Sequence, residues 1–269
     1  MAKRSTASKT DAVHPALVTG ASAGIGAAFA RRLARDGHDL ILVARNRERL
    51  EKMARRLTHD YNIAVEPLPA DLTDVAELRV VEELVGAHGG LDLLVNNAGF
   101  GTVGSFHTLD TEQEEREIRL NVVALVRLAR AALPGMVKRR RGAVINVSSM
   151  AGLAPTPYNA TYGATKAFVN SFTEALYEEL RGTGVRVQAL CPGFTRTEFQ
   201  ERAGIDVSNV PSFAWMSAEA VVDASLDALR SGTVVCVPGV ANRLVATVSG
   251  AVPRSVMRRI TGVLMREYV

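Results

Sequence analysis

At 269 residues, with 47% hydrophobic and 22% charged side chains, the chain has the composition of an ordinary globular protein with one large core and is neither disordered nor fibrous in character. Its net charge of +4 is confined to one end: from Val240 onward Arg243, Arg254, Arg258, Arg259 and Arg266 stand against Glu267 alone. Tyr268 is the single aromatic residue of that segment, so the interleaved cations and stacking rings that nucleic-acid binding needs are missing.

Residues 1–14 hold Lys3, Arg4 and Lys9 among small polar residues with no apolar run behind them, which predicts a flexible tail and no signal peptide. From 15 to 239 short β-branched runs alternate with helical stretches. The expected strands are Ala16–Gly20, Asp39–Ala44, Ala64–Ala70, Leu91–Asn96, Ala143–Ser148, Arg186–Cys191 and Val234–Val237, and the expected helices are Ile25–Asp36, Arg47–Asp60, Val75–His88, Glu112–Lys138, Ala160–Leu180 and Ala218–Ser231. That alternation predicts an α/β domain, a doubly wound parallel seven-stranded sheet with helices on both faces.

Within this domain 194–216 is long for a connection, yet Phe194, Phe199, Ile205, Val207, Val210, Phe213, Trp215 and Met216 make it too apolar for disorder; we expect a substrate lid. Beyond it 240–269 forms an amphipathic helical extension. Cys191 and Cys236 sit in apolar runs and read as buried thiols of a reducing cytoplasm. His14, His38, His59, His88 and His107 show no ligand spacing, so no metal site is expected. No stretch nears the roughly 18 uninterrupted apolar residues of a spanning helix, and a soluble, cytoplasmic protein is expected.

Chemistry enters with the first turn. Thr19-Gly20-Ala21-Ser22-Ala23-Gly24-Ile25-Gly26 follows the first strand and opens a helix, where backbone N–H groups and a helix N-terminus approach a phosphate. After the second strand the acid that would bind a free ribose 2′-hydroxyl is absent: the sequence reads Val43-Ala44-Arg45-Asn46-Arg47. Asp39 begins the strand and belongs to the far edge. Arg45 suits the 2′-phosphate of NADP(H) instead, while Arg47 and Arg49 are expected to face solvent.

Tyr162-Gly163-Ala164-Thr165-Lys166 places a phenol and an ammonium at i and i+4 on one helical face. A cation there is expected to lower the tyrosine pKa from its usual value of about 10. An isolated pair of this kind is more often a surface feature, but a serine ends the preceding strand, at the edge where open α/β sheets bind ligands. Ser148 and Ser149 compete for the role of donor to a carbonyl oxygen as charge builds on it.

The succession of TGxxxGxG, NNAG, serine, YxxxK and PG elements from about Pro15 to Gly239 resembles the short-chain dehydrogenase/reductase family in its single-domain, Rossmann-fold branch. The family places its serine thirteen positions before the tyrosine, which selects Ser149. The resemblance further implies a cofactor-binding set of Gly20, Ser22, Gly24, Ile25, Gly26 and Arg45, with Asp71 and Leu72 at adenine, although Asp71 by itself also reads as a helix cap. It implies that Asn96-Asn97-Ala98-Gly99 lets the cofactor pass near the fourth strand, with Asn96, Ala98 and Gly99 in its binding set, and ties that strand to its neighbours; that Tyr162 also belongs to the cofactor site; and that Lys166 holds the nicotinamide ribose. Pro192, Gly193, Thr195 and Thr197 would embrace the nicotinamide. The backbone of Asn121 would hold a water linking Lys166 to solvent. Tyr162 would be the acid/base of hydride transfer between a carbonyl and an alcohol.

The sequence around Pro157 to Val169 is similar to reductases of long-chain 3-oxoacyl and mycolic-acid precursors, so an apolar ketone or 3-oxoacyl chain is the expected substrate. An NADP(H)-sensing protein without turnover is the alternative, opposed by the intact acid/base set. A homodimer or homotetramer suits the resemblance. In the extension Leu244, Val245, Val248, Val252, Val256, Ile260, Val263 and Leu264 recur at helical spacing beside arginines; packing on the domain or a second subunit is the first reading and peripheral contact with an anionic membrane the other.

Overall fold

The computed structural model describes residues 15–87, 91–208 and 210–264. The expected tail 1–14, His88, Arg266, Glu267 and Tyr268 lie outside the described residues.

All seven expected strands form one parallel sheet: β1 (Ala16–Thr19), β2 (Leu40–Ala44), β3 (Val65–Pro69), β4 (Leu93–Asn96), β5 (Gly142–Val147), β6 (Val185–Leu190) and, at its far edge, β9 (Val235–Cys236). Their order is β3-β2-β1-β4-β5-β6-β9. The chain therefore steps from one edge back to the middle between β3 and β4, so β1 and β4 pair at the point where the winding reverses. A crevice opens at the carboxyl ends of strands at such a point.

Helices cover both faces because both faces of these strands are apolar. On one side α1 (Gly24–Arg35), α2 (Arg47–Tyr61) and α8 (Ala218–Arg230) bring Phe29, Leu33, Leu50, Leu57, Val221 and Leu226 onto Val18, Leu42, Val95 and Ile145. On the other, α3 (Val75–Ala87) and α5 (Leu125–Arg139) bring Val81, Val85, Leu128 and Met136 onto Leu17, Ile41, Leu94 and Val144. Consecutive strand residues thus serve opposite cores, as the two-residue period of a strand requires.

The single helix expected over Glu112–Lys138 is interrupted. It consists of α4 (Thr111–Ile118), a turn of π-helix over Arg119–Ala124, and α5. Apolar spacing does not register such a bulge, which displaces hydrogen bonds without displacing the buried face. The run Thr111–Arg139 is long and apolar enough to cross a membrane by length and composition, but Ala124, Leu128, Ala132 and Met136 are spent on the core.

After β6 come β7 (Thr195–Arg196), α7 (Phe199–Ala203) and β8 (Met216–Ser217), with β7 and β8 paired in parallel. The rings of Phe194 and Trp215 lie 5.5 Å apart and hold this segment together. α6 (Ala160–Glu179) packs beside β5 and β6, and the last described elements are α9 (Val240–Ala251) and α10 (Arg254–Leu264). Met257 of α10 is buried, whereas Val240, Leu244, Val245, Val248, Val256, Ile260 and Val263 are exposed. Cys191 and Cys236 are buried free thiols.

Candidate active site

The glycine turn is held from β4. Thr19 Oγ1 accepts the N–H groups of Asn97 and Ala98, each at 2.9 Å, and Asn97 Nδ2 donates to the Thr19 carbonyl at 2.8 Å. Gly20 adopts φ +64°, and a side chain there would come within 2.7 Å of Asn97 Nδ2. A Cβ on Gly26 would collide with the Gly20 carbonyl oxygen. Ala23 provides no side-chain cap for α1, so its first N–H groups remain open to an anion. Ser22, Gly24 and Ile25, half-buried, complete the cradle. These features fit a dinucleotide pyrophosphate.

Asn96 is turned inward: its amide donates to Asn146 Oδ1 at 2.9 Å, and Asn97 does the bracing. Gly99 faces Asn121 and Lys166, since a Cβ on it would lie 2.8 Å from Asn121 Oδ1 and 3.5 Å from Lys166 Nζ.

At the carboxyl end of β2, Arg45 is exposed. Burial pushes the Asp71 carboxyl up, but hydrogen bonds from Thr73 and the charges of Arg45 and Arg116 outweigh it and hold the group below its usual range. The helix cap belongs to Asp74, whose Oδ1 accepts from Ala76 and Glu77 at 2.8 and 2.9 Å. Asp71 instead stabilises the turn before it through Thr73. The Leu72 side chain is in the core, leaving only its backbone to a ligand. Arg47 is exposed beside Glu51. Arg49, expected to point at solvent alone, reaches Glu198 at 3.1 Å and ties α2 to the segment after β6.

Ser148 is buried and donates to the Lys166 carbonyl at 3.0 Å, so its hydroxyl is committed to α6. Ser149 is half-buried, accepts from the Ala151 N–H at 3.1 Å and hydrogen-bonds with Tyr162. Lys166 Nζ donates to the Val147 carbonyl at 2.9 Å and lies 5.4 Å from the centre of the Tyr162 ring.

The expected lowering of the Tyr162 pKa is corrected by the structure. Burial pushes the phenol up to about 12, with the Ser149 hydrogen bond opposing and the charge of Glu117 adding to the rise. Burial likewise pushes the Lys166 ammonium down to about 8, against the attraction of Glu117. Loss of water around both groups exceeds what the Ser149 hydrogen bond returns to the phenolate and what Glu117 returns to the ammonium.

Asn121 stands in the π turn. Its side chain donates to the Phe100 carbonyl at 2.8 Å and to Thr165 Oγ1 at 3.1 Å, joining the loop after β4 to α6. The Pro192 carbonyl accepts from Met150 N at 3.0 Å. Gly193 is backed by Asn242 of α9, and Thr195 Oγ1 donates to the Gly193 carbonyl at 3.0 Å. The Thr197 side chain touches the glycine turn, 3.1 Å from where a Gly24 Cβ would stand, while its Oγ1 accepts from Phe199 N. The Phe199 ring sits 5.5 Å from that of Tyr162.

The structure thus brings Ser149, Tyr162, Lys166 and Asn121 together, with the glycine turn and Thr197 alongside. Sequence reasoning does not reach the Thr19 hydroxyl as the brace of this turn, the contact of Phe199 with Tyr162, or two buried acids, Glu114 and Glu117. Positions 114, 117 and 121 share one helical face, and that spacing was the available signal.

A doubly wound sheet with a glycine turn at its switch point that fits a pyrophosphate, and a serine, tyrosine and lysine beside it, is the arrangement of a dinucleotide-dependent oxidoreductase. The chain belongs to the short chain dehydrogenase family, whose model matches residues 14–208. Over 231 residues it is 32% identical to a very-long-chain 3-oxoacyl-CoA reductase of Anas platyrhynchos, covering 83% of this chain and 72% of that protein. Among solved structures it resembles a short-chain dehydrogenase from Sphingobium yanoikuyae in complex with NADPH, at 42% identity and TM-score 0.82, over 89% of this chain and 94% of that one. It also resembles a bulky-bulky ketone specific alcohol dehydrogenase from Comamonas testosteroni, at 34% identity and TM-score 0.77, over 89% and 93%.

Proposed function

We propose that the protein is an NADP(H)-dependent reductase of apolar ketones or 3-oxoacyl compounds, working reversibly on the carbonyl/alcohol pair. The observation that carries this reading is the meeting of Ser149, Tyr162 and Lys166 beside the glycine turn. Gly20, Ser22, Gly24, Ile25 and Gly26 would hold the pyrophosphate, Arg45 the 2′-phosphate, and the Asp71 side chain and Leu72 backbone the adenine. Ala98, Gly99, Pro192, Gly193, Thr195 and Thr197 would flank the nicotinamide, and Asn96 would act from behind by fixing β4. When bound, NADPH supplies the hydride.

The chain's own residues do the rest. Ser149 and Tyr162 donate hydrogen bonds to the carbonyl oxygen, which stabilises the charge that develops there. Tyr162 then gives up its proton. A phenol with a pKa of about 12 is fully protonated near neutrality, the state reduction requires. Lys166 and the backbone of Asn121 would return a proton to it through water.

Residues 194–216 serve as the lid in this reading, with Phe199 against Tyr162 and the Phe194–Trp215 pair behind it. A groove of about 700 Å³ lined by Phe106, Pro157, Tyr158, Val263, Arg258 and Arg259 takes in the turn at Tyr158, four residues before Tyr162. Its apolar walls suit an acyl chain and its two guanidinium groups an anionic carrier. The relatives named as 3-oxoacyl-CoA and bulky-ketone enzymes lend support. The exposed rings of Phe168 and Tyr177 on α6 fit a subunit contact, and the exposed apolar side of α9 and α10 fits a second subunit or a lipid surface.

The test is NADPH consumption with bulky ketones, 3-oxoacyl thioesters and sugars. Turnover of the first two groups and not the third is expected. Tight NADPH binding without turnover on any of them would move the reading to a cofactor sensor.

A further inference from the structure

Behind the catalytic tyrosine lies a polar cluster that the proposed reaction does not use. Gly101 packs against the Tyr162 ring, where a Cβ would come within 2.9 Å of Cδ2. The next residue, Thr102, is held by two acids from α4. Its Oγ1 is bonded to Glu114 Oε1 and, at 2.9 Å, to Glu117 Oε2. Its N–H also donates to Glu117 Oε2 at 2.9 Å. Thr161 Oγ1 reaches the other oxygen of Glu114, and Asn159 Nδ2 reaches the Thr102 carbonyl. Glu117 is 0% and Glu114 8% exposed.

Proton counting decides the state of this cluster. A threonine hydroxyl has one hydrogen, yet Thr102 Oγ1 touches two carboxyl oxygens. With both acids ionised, one of these contacts would set oxygen lone pairs against each other. One carboxyl must therefore be protonated. Glu114 receives a hydroxyl on each oxygen, from Thr102 and Thr161, and is suited to the charge. Glu117 Oε1 has no hydrogen-bond partner among the described residues, which an ionised buried carboxylate tolerates poorly.

We infer that Glu114 and Glu117 share one proton through Thr102 and act as a positioning pair that sets how Tyr162 and Lys166 respond to pH. The inference rests on the catalytic reading given above. Burial raises the Glu117 carboxyl to about 7; the Thr102 hydrogen bonds oppose the rise, Glu114 adds to it, and Lys166 opposes it. The groups facing the pair are Thr102 from the loop after β4, and Thr161, Tyr162 and Lys166 from α6. Cys191, at the end of β6, faces Tyr162 and Lys166 from the far side.

The sign follows from charge. As pH rises through neutrality Glu117 releases its proton and the pair carries two negative charges. The added charge favours the Lys166 ammonium and disfavours the Tyr162 phenolate, so the phenol is kept protonated to higher pH. Removing the charge with Glu117→Gln lets Tyr162 ionise earlier.

Two measurements on the folded full chain test this. In the pH profile of kcat/KM for reduction of a ketone that the native protein turns over, Glu117→Gln is expected to move the alkaline limb down by about one pH unit, the effect of losing a nearby charge. In infrared titration, which needs no turnover, a protonated carboxyl band that disappears near neutrality is expected in the native protein and absent from the variant. An unmoved limb together with a retained band overturns the inference. If Glu117→Gln does not fold, Thr102→Val keeps both acids and removes the bridge: a displaced infrared titration supports the shared proton, and an unchanged one overturns it. Should no ketone be turned over, the catalytic reading fails while the infrared titration still decides whether the proton is shared.

Discussion

The glycine turn and the segment after β6 both border the site, but they are held in different ways. Around the turn every constraint is short and interior: Thr19 Oγ1 accepts two N–H groups, Asn97 closes on the Thr19 carbonyl, and Gly20 and Gly26 leave no room for a Cβ. Over residues 194–216 the restraints are ring contacts, a two-residue strand pair, hydrogen bonds mostly within the segment itself and an ion pair on the surface, Arg49 to Glu198. The first region resists any change of volume, because interiors are close-packed and polar groups there cannot be left unpaired. The second can be repacked at small cost, which suits a surface that selects substrates.

Gly26→Ala tests the stiff side and carries the largest expected effect. The methyl meets the Gly20 carbonyl, so the turn must open. We expect destabilisation of about 1–3 kcal/mol, the range of overpacked sites, and NADPH binding weakened by more than the fluorescence titration can follow. Native-like affinity would show the turn to be softer than described. Arg45→Asp comes next: loss of a charge-assisted bond, worth about 1.5–3 kcal/mol, is expected to raise the Kd for NADPH roughly tenfold to a hundredfold, with NADH affinity unchanged or improved. Equal losses for both nucleotides would remove Arg45 from the 2′-phosphate. The smallest effect belongs to the soft side, where Arg49→Ala breaks an exposed ion pair worth at most about 1 kcal/mol. A Tm drop of several degrees would mean that this segment is held more tightly than its contacts imply.

The fold was legible to within two residues at every strand end, because parallel strands buried on both faces leave largely apolar runs, continuous in Leu40–Ala44 and broken only by Asn146 in Gly142–Val147. The π turn was not, since a bulge at Arg119–Ala124 changes hydrogen bonding and leaves the apolar spacing intact. The pairing of Thr195–Arg196 with Met216–Ser217 is too short to carry a pattern. At the site, residue identity and spacing nominated Tyr162, Lys166 and a serine at the strand end, and the family resemblance chose Ser149 over Ser148. The direction of the Tyr162 pKa was misjudged because a sequence supplies a neighbouring cation but not the depth at which both groups sit. Glu114 and Glu117 went unnoticed for the same reason: acids on a helix usually face water, and these two face Thr102 and α6.

Tyr162→Phe tests the central claim most directly, read by NADPH titration and by turnover of the best ketone on the same preparation. The phenol is assigned chiefly to proton donation, with the glycine turn, Arg45 and Lys166 as the main proposed hold on the nucleotide, so Kd should stay within about twofold while kcat falls by about 10²–10⁴, the usual contribution of a positioned acid. A variant that binds NADPH normally and keeps near-native kcat would contradict the account.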